Sequence, residues 1–176
     1  MTEAPRPLDG SVALVTGASR GIGAAVAVEL ARLGAHCVLT ARRQGGLEET
    51  DDAIRALGGK ATLLPFDLMK DAEKLDMLGP SIVQRFGRLD ILVHAAGVLS
   101  KLTPVAHIQP RDWQESVAVN LSACWRLIRS CDPPLRAAPD ALLLDTTALD
   151  IEGAFAAAMA LVRERLAAIG PGASAP

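Results

Sequence analysis

The chain has 176 residues, which is enough for one domain with a substantial hydrophobic core and is short for two domains. Half of the residues are hydrophobic and the formal net charge is -2, as in ordinary soluble globular proteins. This balance argues against nucleic acid or a membrane surface as a partner, because both require concentrated positive charge. The sequence has no bilayer-length apolar run and no apolar leader, so we expect a cytoplasmic protein.

Apolar segments alternate with amphipathic segments of helical length, a pattern typical of a parallel sheet covered by helices. The predicted strands are residues 12–16, 36–41, 60–65, 89–94 and 141–146. The predicted helices are residues 21–33, 47–57, 70–86, 111–130 and 153–169. We therefore expect an α/β fold, a Rossmann-like doubly wound parallel sheet, in a single domain over residues 1–170 with a disordered tail at 171–176.

A glycine-rich segment joins the first strand to the first helix. It reads Thr16-Gly17-Ala18-Ser19-Arg20-Gly21-Ile22-Gly23. Gly17 permits a tight turn, Gly21 lets backbone N–H groups approach a pyrophosphate, and Gly23 allows the helix to pack closely on the strand. Because a helix N-terminus also carries unpaired N–H groups, the segment predicts a dinucleotide-binding loop; the alternative is a tight turn without a ligand.

The spacing T-G-x-x-x-G-x-G resembles the short-chain dehydrogenase/reductase family, and the resemblance extends over residues 8–170. Further matches are Asp67-Leu68, Ala96-Gly97 and Val119-Asn120-Leu121. The resemblance implies that Asp67 and Leu68 contact adenine, that Ala95 to Gly97 line the ribose, and that Asn120 belongs to a catalytic group. Their alternatives are, in that order, a loop cap, close backbone packing and a helix-kink hydrogen bond. The cofactor contacts implied in full are Gly17, Ser19, Arg20, Gly21, Ile22, Gly23, Asp67, Leu68, Ala95, Ala96 and Gly97.

The end of the second strand indicates which cofactor is bound. Members that prefer NAD(H) place an acidic residue there, which binds the ribose hydroxyls and repels a phosphate. This chain has Ala41, followed by Arg42 and Arg43, and Arg20 lies in the glycine loop. Since a guanidinium pairs well with a phosphate, we expect NADP(H) rather than NAD(H), with Arg42 as a binding residue. The alternative is that these arginines are solvated surface.

The resemblance also implies a tyrosine and a lysine, spaced Y-x-x-x-K, for proton exchange during hydride transfer. The chain contains no tyrosine, and Phe155 and Met159 occupy the two positions. Phenylalanine has no proton to donate and methionine carries no charge. Thr147, or Thr146 if the register differs by one, stands where a serine holds the substrate oxygen. We therefore expect a dinucleotide-binding protein of oxidoreductase type whose catalysis is impaired, a pseudoenzyme, with its small-molecule substrate undetermined.

The family continues beyond the fifth strand–helix unit, where this chain ends, so the sequence predicts a truncated fold with an open sheet edge. Such an edge favours pairing with another chain, and we expect a homo-oligomer. Two alternatives to an enzyme remain open: a cofactor-binding subunit or sensor without turnover, and a decayed fragment.

The cysteines and histidines lack metal-binding or disulfide spacing, so we assign no metal and expect buried free thiols and structural histidines. These residues are Cys37, Cys124, Cys131, His36, His94 and His107.

Overall fold

The computed structural model describes residues 6–132, together with Leu135, Gly153, Ala156, Ala157 and Ala160. The chain divides into two compact units, Met1–Arg136 and Ala137–Pro176. In the second unit the four described residues are helical, within the helix predicted at 153–169. The predicted fifth strand, Thr147, Phe155, Met159 and the predicted disordered tail lie outside the described residues, and the single domain stays a prediction.

The described part of the first unit consists of alternating strands and helices. Its strands are β1 Val12–Thr16, β2 His36–Ala41, β3 Lys60–Pro65 and β4 Ile91–His94. Its α-helices are α1 Gly21–Arg32, α2 Gln44–Ala56, α3 Leu78–Phe86, α4 Pro110–Val117 and α5 Ala123–Cys131. Two 3₁₀ segments lie at Ala72–Met77 and Val105–His107. A π-helical turn, Ala118–Ser122, makes α4 and α5 one continuous helix.

The four strands form a parallel sheet in the order β3-β2-β1-β4, which confirms the predicted Rossmann-like topology. β1 is the first strand in sequence and has β2 on one side and β4 on the other. The connections that leave β1 and β4 therefore diverge at the carboxyl edge of the sheet. This is the switch point at which open α/β sheets form a crevice for a ligand.

The hydrophobic core consists of two clusters, and β1 contributes to both. Val12 and Leu14 belong to the cluster that also contains residues of α3 and α5, whereas Ala13 and Val15 belong to the cluster with α1 and α2. Because successive side chains of a strand point to opposite faces, this division places helices on both faces of the sheet. Every residue of β1 is buried, as expected for a central parallel strand.

The helix predicted at 70–86 is wrong over its first half, where the chain forms the 3₁₀ segment before α3. The physical reason is Pro80, which has no N–H and whose ring collides with the carbonyl four residues earlier in a continuous helix. That carbonyl belongs to Asp76 and accepts a hydrogen bond of 3.2 Å from the Ser130 hydroxyl. The same hydroxyl oxygen accepts the Gly79 N–H at 2.9 Å. A residue of α5 thus satisfies the backbone groups at the break.

Two boundaries also differ from the prediction. The strand predicted at 89–94 begins at Ile91, because the Asp90 carboxylate accepts the Val12 N–H at 2.8 Å, while Leu89 forms a parallel bridge with Leu135. The helix predicted from residue 47 begins at Gln44, so two glycines lie in its first turn.

Candidate functional site

A cleft of about 570 Å³ opens at the carboxyl edge of the sheet, between the connections that leave β1 and β4. It is lined by Thr16, Gly17, Ser19, Arg20, Gly21, Thr40, Ala41, Arg42, Arg43, Gly46, Glu49, Phe66, Asp67, Leu68, Ala95, Ala96, Gly97, Val98 and Val119. The structure thereby brings together all of the residues predicted to contact a cofactor except Ile22 and Gly23. The volume of the cleft lies within the range of small-molecule and cofactor sites.

The glycines of the loop after β1 have distinct roles in its geometry. Gly17 has a φ of 66°, and a Cβ placed on it would lie 2.7 Å from the Ala96 nitrogen. Gly21 has a φ of 58°, and a Cβ placed there would meet nothing within 4 Å. A Cβ on Gly23 would collide with the Gly17 carbonyl, so Gly23 permits the close packing that was predicted. Open space therefore lies above Gly21, whereas Gly17 and Gly23 are enclosed by backbone.

The N-terminus of α1 faces this loop without a side-chain cap from any described residue. Arg20, the N-cap residue, has extended backbone and contributes no capping oxygen. The first N–H groups of the helix are consequently available to an anion, and the helix dipole adds partial positive charge. Ile22, in this first turn, is 78% exposed and does not line the cleft.

Contacts from α2 hold the glycine loop in place. The hydroxyl of Thr50, a buried residue, donates a hydrogen bond of 2.8 Å to the Ala18 carbonyl. A Cβ on Gly46 would lie 2.9 Å from both the Cβ and the carbonyl oxygen of Ser19. The first turn of α2 can therefore approach the loop only because residue 46 is glycine.

Three arginines give the cleft a positive end beside β2. Arg20, Arg42 and Arg43 all line it, as does one carboxylate from α2, Glu49. Within the described part of the chain, Arg20 and Arg43 make no ion pair. Arg42 pairs with Glu115 of α4, with 3.7 Å between Nη1 and Oε1. This end can accept a phosphate, since guanidinium groups form paired, charge-assisted hydrogen bonds with phosphate oxygens.

Asp67 and Leu68 lie after β3 at the same cleft. Asp67 Oδ1 accepts the N–H groups of Met69 and Lys70 at 3.0 and 3.2 Å, so its carboxylate caps the turn. Leu68 is buried and packs in the core cluster with α3 and α5. The loop-cap alternative therefore describes Asp67 correctly, and the residue also lines the cleft.

Asn120 lies in the π-helical turn and its side-chain amide is bound to the chain after β4. Its Oδ1 accepts the Val98 N–H at 2.8 Å, and its Nδ2 donates to the Val98 carbonyl at 2.8 Å. These two bonds satisfy the backbone of a residue that lines the cleft. Both bonds are to the chain after β4 and neither is to helix backbone, so they are not the helix-kink hydrogen bond of the alternative, and a catalytic role for Asn120 stays a prediction.

His94 joins the ends of β1 and β4 below the cleft. The Thr16 hydroxyl accepts the Ala96 N–H at 3.2 Å and shares a hydrogen bond of 2.9 Å with His94 Nδ1. Burial lowers the pKa of His94 below the usual 6.5, and the Val119 backbone opposes this only in part. The structural role expected for a lone histidine is the one observed.

We expect the free energy of unfolding to decrease as the pH falls below about 6.5. Burial also lowers the pKa of His36, with Lys60 and Arg85 adding to the effect. Since both histidines bind a proton more readily when unfolded, acid favours the unfolded chain. Urea unfolding at several pH values between about 7 and 5.5 should show that the free energy of unfolding decreases as the pH falls. His94→Gln should weaken this dependence of the unfolding free energy on pH, and an equal dependence in the variant and the parent chain would contradict the role of His94.

Burial raises the pKa of the Cys37 and Cys131 thiols to about 11 in each case. Both are buried, as predicted, whereas Cys124 is half-buried. Over the described ranges, the side chains of His, Cys, Asp and Glu form no group of three or more that could hold a metal ion. Of the helices in the described part, none is long and apolar enough to cross a membrane.

Several residues that line the cleft were not identified from the sequence. Gly46 and Glu49 follow the arginine pair by a few residues, and the glycine pair at the start of α2 was the available signal. Val119 belongs to the recognised Val119-Asn120-Leu121 motif but was given no role. Glu115 does not line the cleft but pairs with Arg42, and it had no signal because its proximity to Arg42 depends on how α4 packs.

The chain is similar in sequence and in structure to known proteins. Residues 11–147 match the family model described as short chain dehydrogenase. Glycine betaine reductase ATRR of Emericella nidulans is 40% identical over 131 residues, which are 74% of this chain and 10% of that protein. A metagenomic short-chain oxidoreductase solved in complex with NADP is 40% identical with a TM-score of 0.69, over 73% of this chain and 57% of that one. A protein from Agrobacterium tumefaciens solved with bound NADP is 34% identical with a TM-score of 0.64, over 75% and 50%.

The matched region is only part of the related proteins. The chain spans between 42% and 49% of the length of several other curated relatives. The residues matched by the family model, 11–147, include the four strands and the glycine loop.

Proposed function

Because the chain belongs to the short-chain dehydrogenase family, we propose that it binds NADP(H) in the cleft at the carboxyl edge of the sheet and transfers hydride slowly or not at all. The observation that carries the binding is the uncapped N-terminus of α1 beside Gly21, where space is open for a pyrophosphate. When bound, the dinucleotide would supply the hydride for reduction of a carbonyl or accept it from an alcohol.

The residues around the cleft fit the parts of a dinucleotide. The backbone N–H groups of the glycine loop would hold the pyrophosphate. Phe66, Asp67 and Leu68 would enclose the adenine, and Ala95, Ala96 and Gly97 would lie along the ribose. The loop backbone at residue 17 can lie against the backbone of Ala96 only because residue 17 is glycine, since a Cβ there would lie 2.7 Å from the Ala96 nitrogen.

The preference for NADP(H) over NAD(H) rests on charge. Ala41 at the end of β2 has no carboxylate to repel a 2′-phosphate, and Arg20, Arg42 and Arg43 line the same end of the cleft. Two of the solved relatives contain NADP, which supports this choice. Fluorescence titration of the purified chain with NADPH and NADH tests the proposal. Equal affinity for the two would contradict the preference, and binding of neither would contradict the function.

The slow turnover is inferred from two positions in the sequence. Phe155 and Met159 stand where the family has the proton-donating tyrosine and the lysine that lowers its pKa. Loss of a general acid costs about 10²- to 10⁴-fold in rate, so a low residual activity is compatible with the proposal. Asn120 and Thr147 would remain to orient a substrate oxygen, as the family resemblance suggests.

Restoring both groups is expected to raise NADPH-dependent reduction of simple carbonyl compounds. Phe155→Tyr with Met159→Lys rebuilds the pair at a spacing of four residues, which places the two side chains together on a helix. Each single variant serves as the control and should gain little, because the two groups act as a unit. The gain should be partial, since the sequence between Thr147 and Phe155 is shorter than in the family. Rapid reduction by the unmodified chain would contradict slow turnover.

A binding protein without turnover, as a sensor or a subunit, fits the same site and differs from a slow enzyme in whether the unmodified chain reduces any carbonyl compound with NADPH. Self-association is supported by the exposed apolar stripe Leu121, Trp125 and Ile128 on the continuous helix of α4 and α5. Sedimentation of the purified chain measures it, and a monomer at tens of micromolar would contradict it.

A further inference from the structure

The ion pair between Arg42 and Glu115 connects a residue that lines the cleft to helix α4. Arg42 follows β2, and Glu115 lies on α4 one helical turn before Val119, which lines the cleft. Their Nη1 and Oε1 atoms are 3.7 Å apart. The Arg42 side chain is 60% exposed and that of Glu115 is 30% exposed, so the acid is the more enclosed partner.

This pair occupies the guanidinium that the proposed function assigns to the 2′-phosphate. A phosphate that binds Arg42 must either displace the Glu115 carboxylate or accept it as a neighbour of like charge. Both alternatives oppose a phosphorylated dinucleotide, and neither affects an unphosphorylated one to a similar degree. The other cleft arginines, Arg20 and Arg43, make no ion pair with another described residue.

We propose that Glu115 is a specificity-determining residue that limits the preference of this cleft for NADP(H) by competing with the 2′-phosphate for Arg42. This inference rests on the proposed function and adds to it a residue of α4 that does not itself line the cleft. Glu115 acts through Arg42 and is therefore a positioning residue. In the free protein Glu115 pairs with the Arg42 guanidinium, and this ion pair is lost when the 2′-phosphate binds Arg42.

The test is titration of Glu115→Gln with NADPH and NADH, after thermal unfolding has shown that the variant folds. We expect NADPH to bind about two- to fivefold more tightly than to the parent chain, which corresponds to an exposed ion pair, and NADH to be unchanged. The gain should diminish as the salt concentration rises, because the pair is partly exposed. In an Arg42→Ala background the same substitution should give little gain, since the competition no longer exists.

Asp112→Asn is the matched control, because Asp112 lies on α4 three residues before Glu115 and makes no ion pair with a described residue. An equal gain with Asp112→Asn, or an equal gain for NADH, would assign the effect to general charge and overturn the inference. The inference would also be overturned if the parent chain prefers NADPH and Glu115→Gln leaves the affinity for NADPH unchanged. If neither nucleotide binds to the parent or the variant, the proposed function itself fails, and the inference fails with it.

Discussion

Gly17→Ala is expected to lower the free energy of unfolding by about 2–5 kcal/mol and to abolish nucleotide binding. Alanine at a φ of 66° is strained, and its Cβ would lie 2.7 Å from the Ala96 nitrogen and 2.8 Å from the Ala95 carbonyl carbon. Those atoms are backbone of the segment after β4, so relief requires the ends of β1 and β4 to separate. The proposed ribose-binding surface would move with them. Urea unfolding and NADPH titration measure the two effects.

Gly10→Ala is the matched control for backbone strain alone. Gly10 has a φ of 78°, and a Cβ placed there would meet nothing within 4 Å. Its substitution should cost about 1–2 kcal/mol and leave nucleotide binding intact. The difference between the two variants measures the collision with Ala95 and Ala96. Equal costs would show that the close approach of β4 does not constrain residue 17.

Arg42→Ala is expected to weaken NADPH binding by about 1.5–3 kcal/mol, roughly ten- to a hundredfold, with a much smaller effect on NADH. The substitution removes the charge-assisted contact that Arg42 is proposed to make with the 2′-phosphate, a group that NADH does not have. Parallel fluorescence titrations with the two nucleotides would measure the change in preference.

Arg32→Ala provides the comparison for a general loss of positive charge. Arg32 lies in the last turn of α1, pairs with Glu29 and does not line the cleft. It should leave the ratio of the two affinities unchanged. If Arg42→Ala also leaves the ratio of the NADPH and NADH affinities unchanged, Arg42 is a solvated surface residue. Any preference for NADP(H) would then have to come from other residues, such as Arg20 or Arg43.

The sequence was sufficient to predict the sheet and the loop that carries the proposed site. β1, β2 and β3 have the predicted bounds, because buried parallel strands are short apolar runs ended by turn residues. The roles of Gly17 and Gly23 could also be predicted, since the turn and the close packing depend on residues adjacent in the chain. These features are local, and local patterns are what a sequence displays directly.

Contacts between distant segments were decided only by the tertiary structure. Ser130 satisfies the backbone at the break caused by Pro80, although 50 residues separate the two in the sequence. Thr16 orients His94 across 78 residues, and Glu115 reaches Arg42 from α4. No periodicity or motif encodes such pairs, because they depend on how the strands pair and on how the helices pack on the sheet. The sequence by itself thus predicted the glycine loop and the arginines after β2, and the packing of α4 and α5 determined which side chain pairs with Arg42 and which hold the surrounding backbone in place.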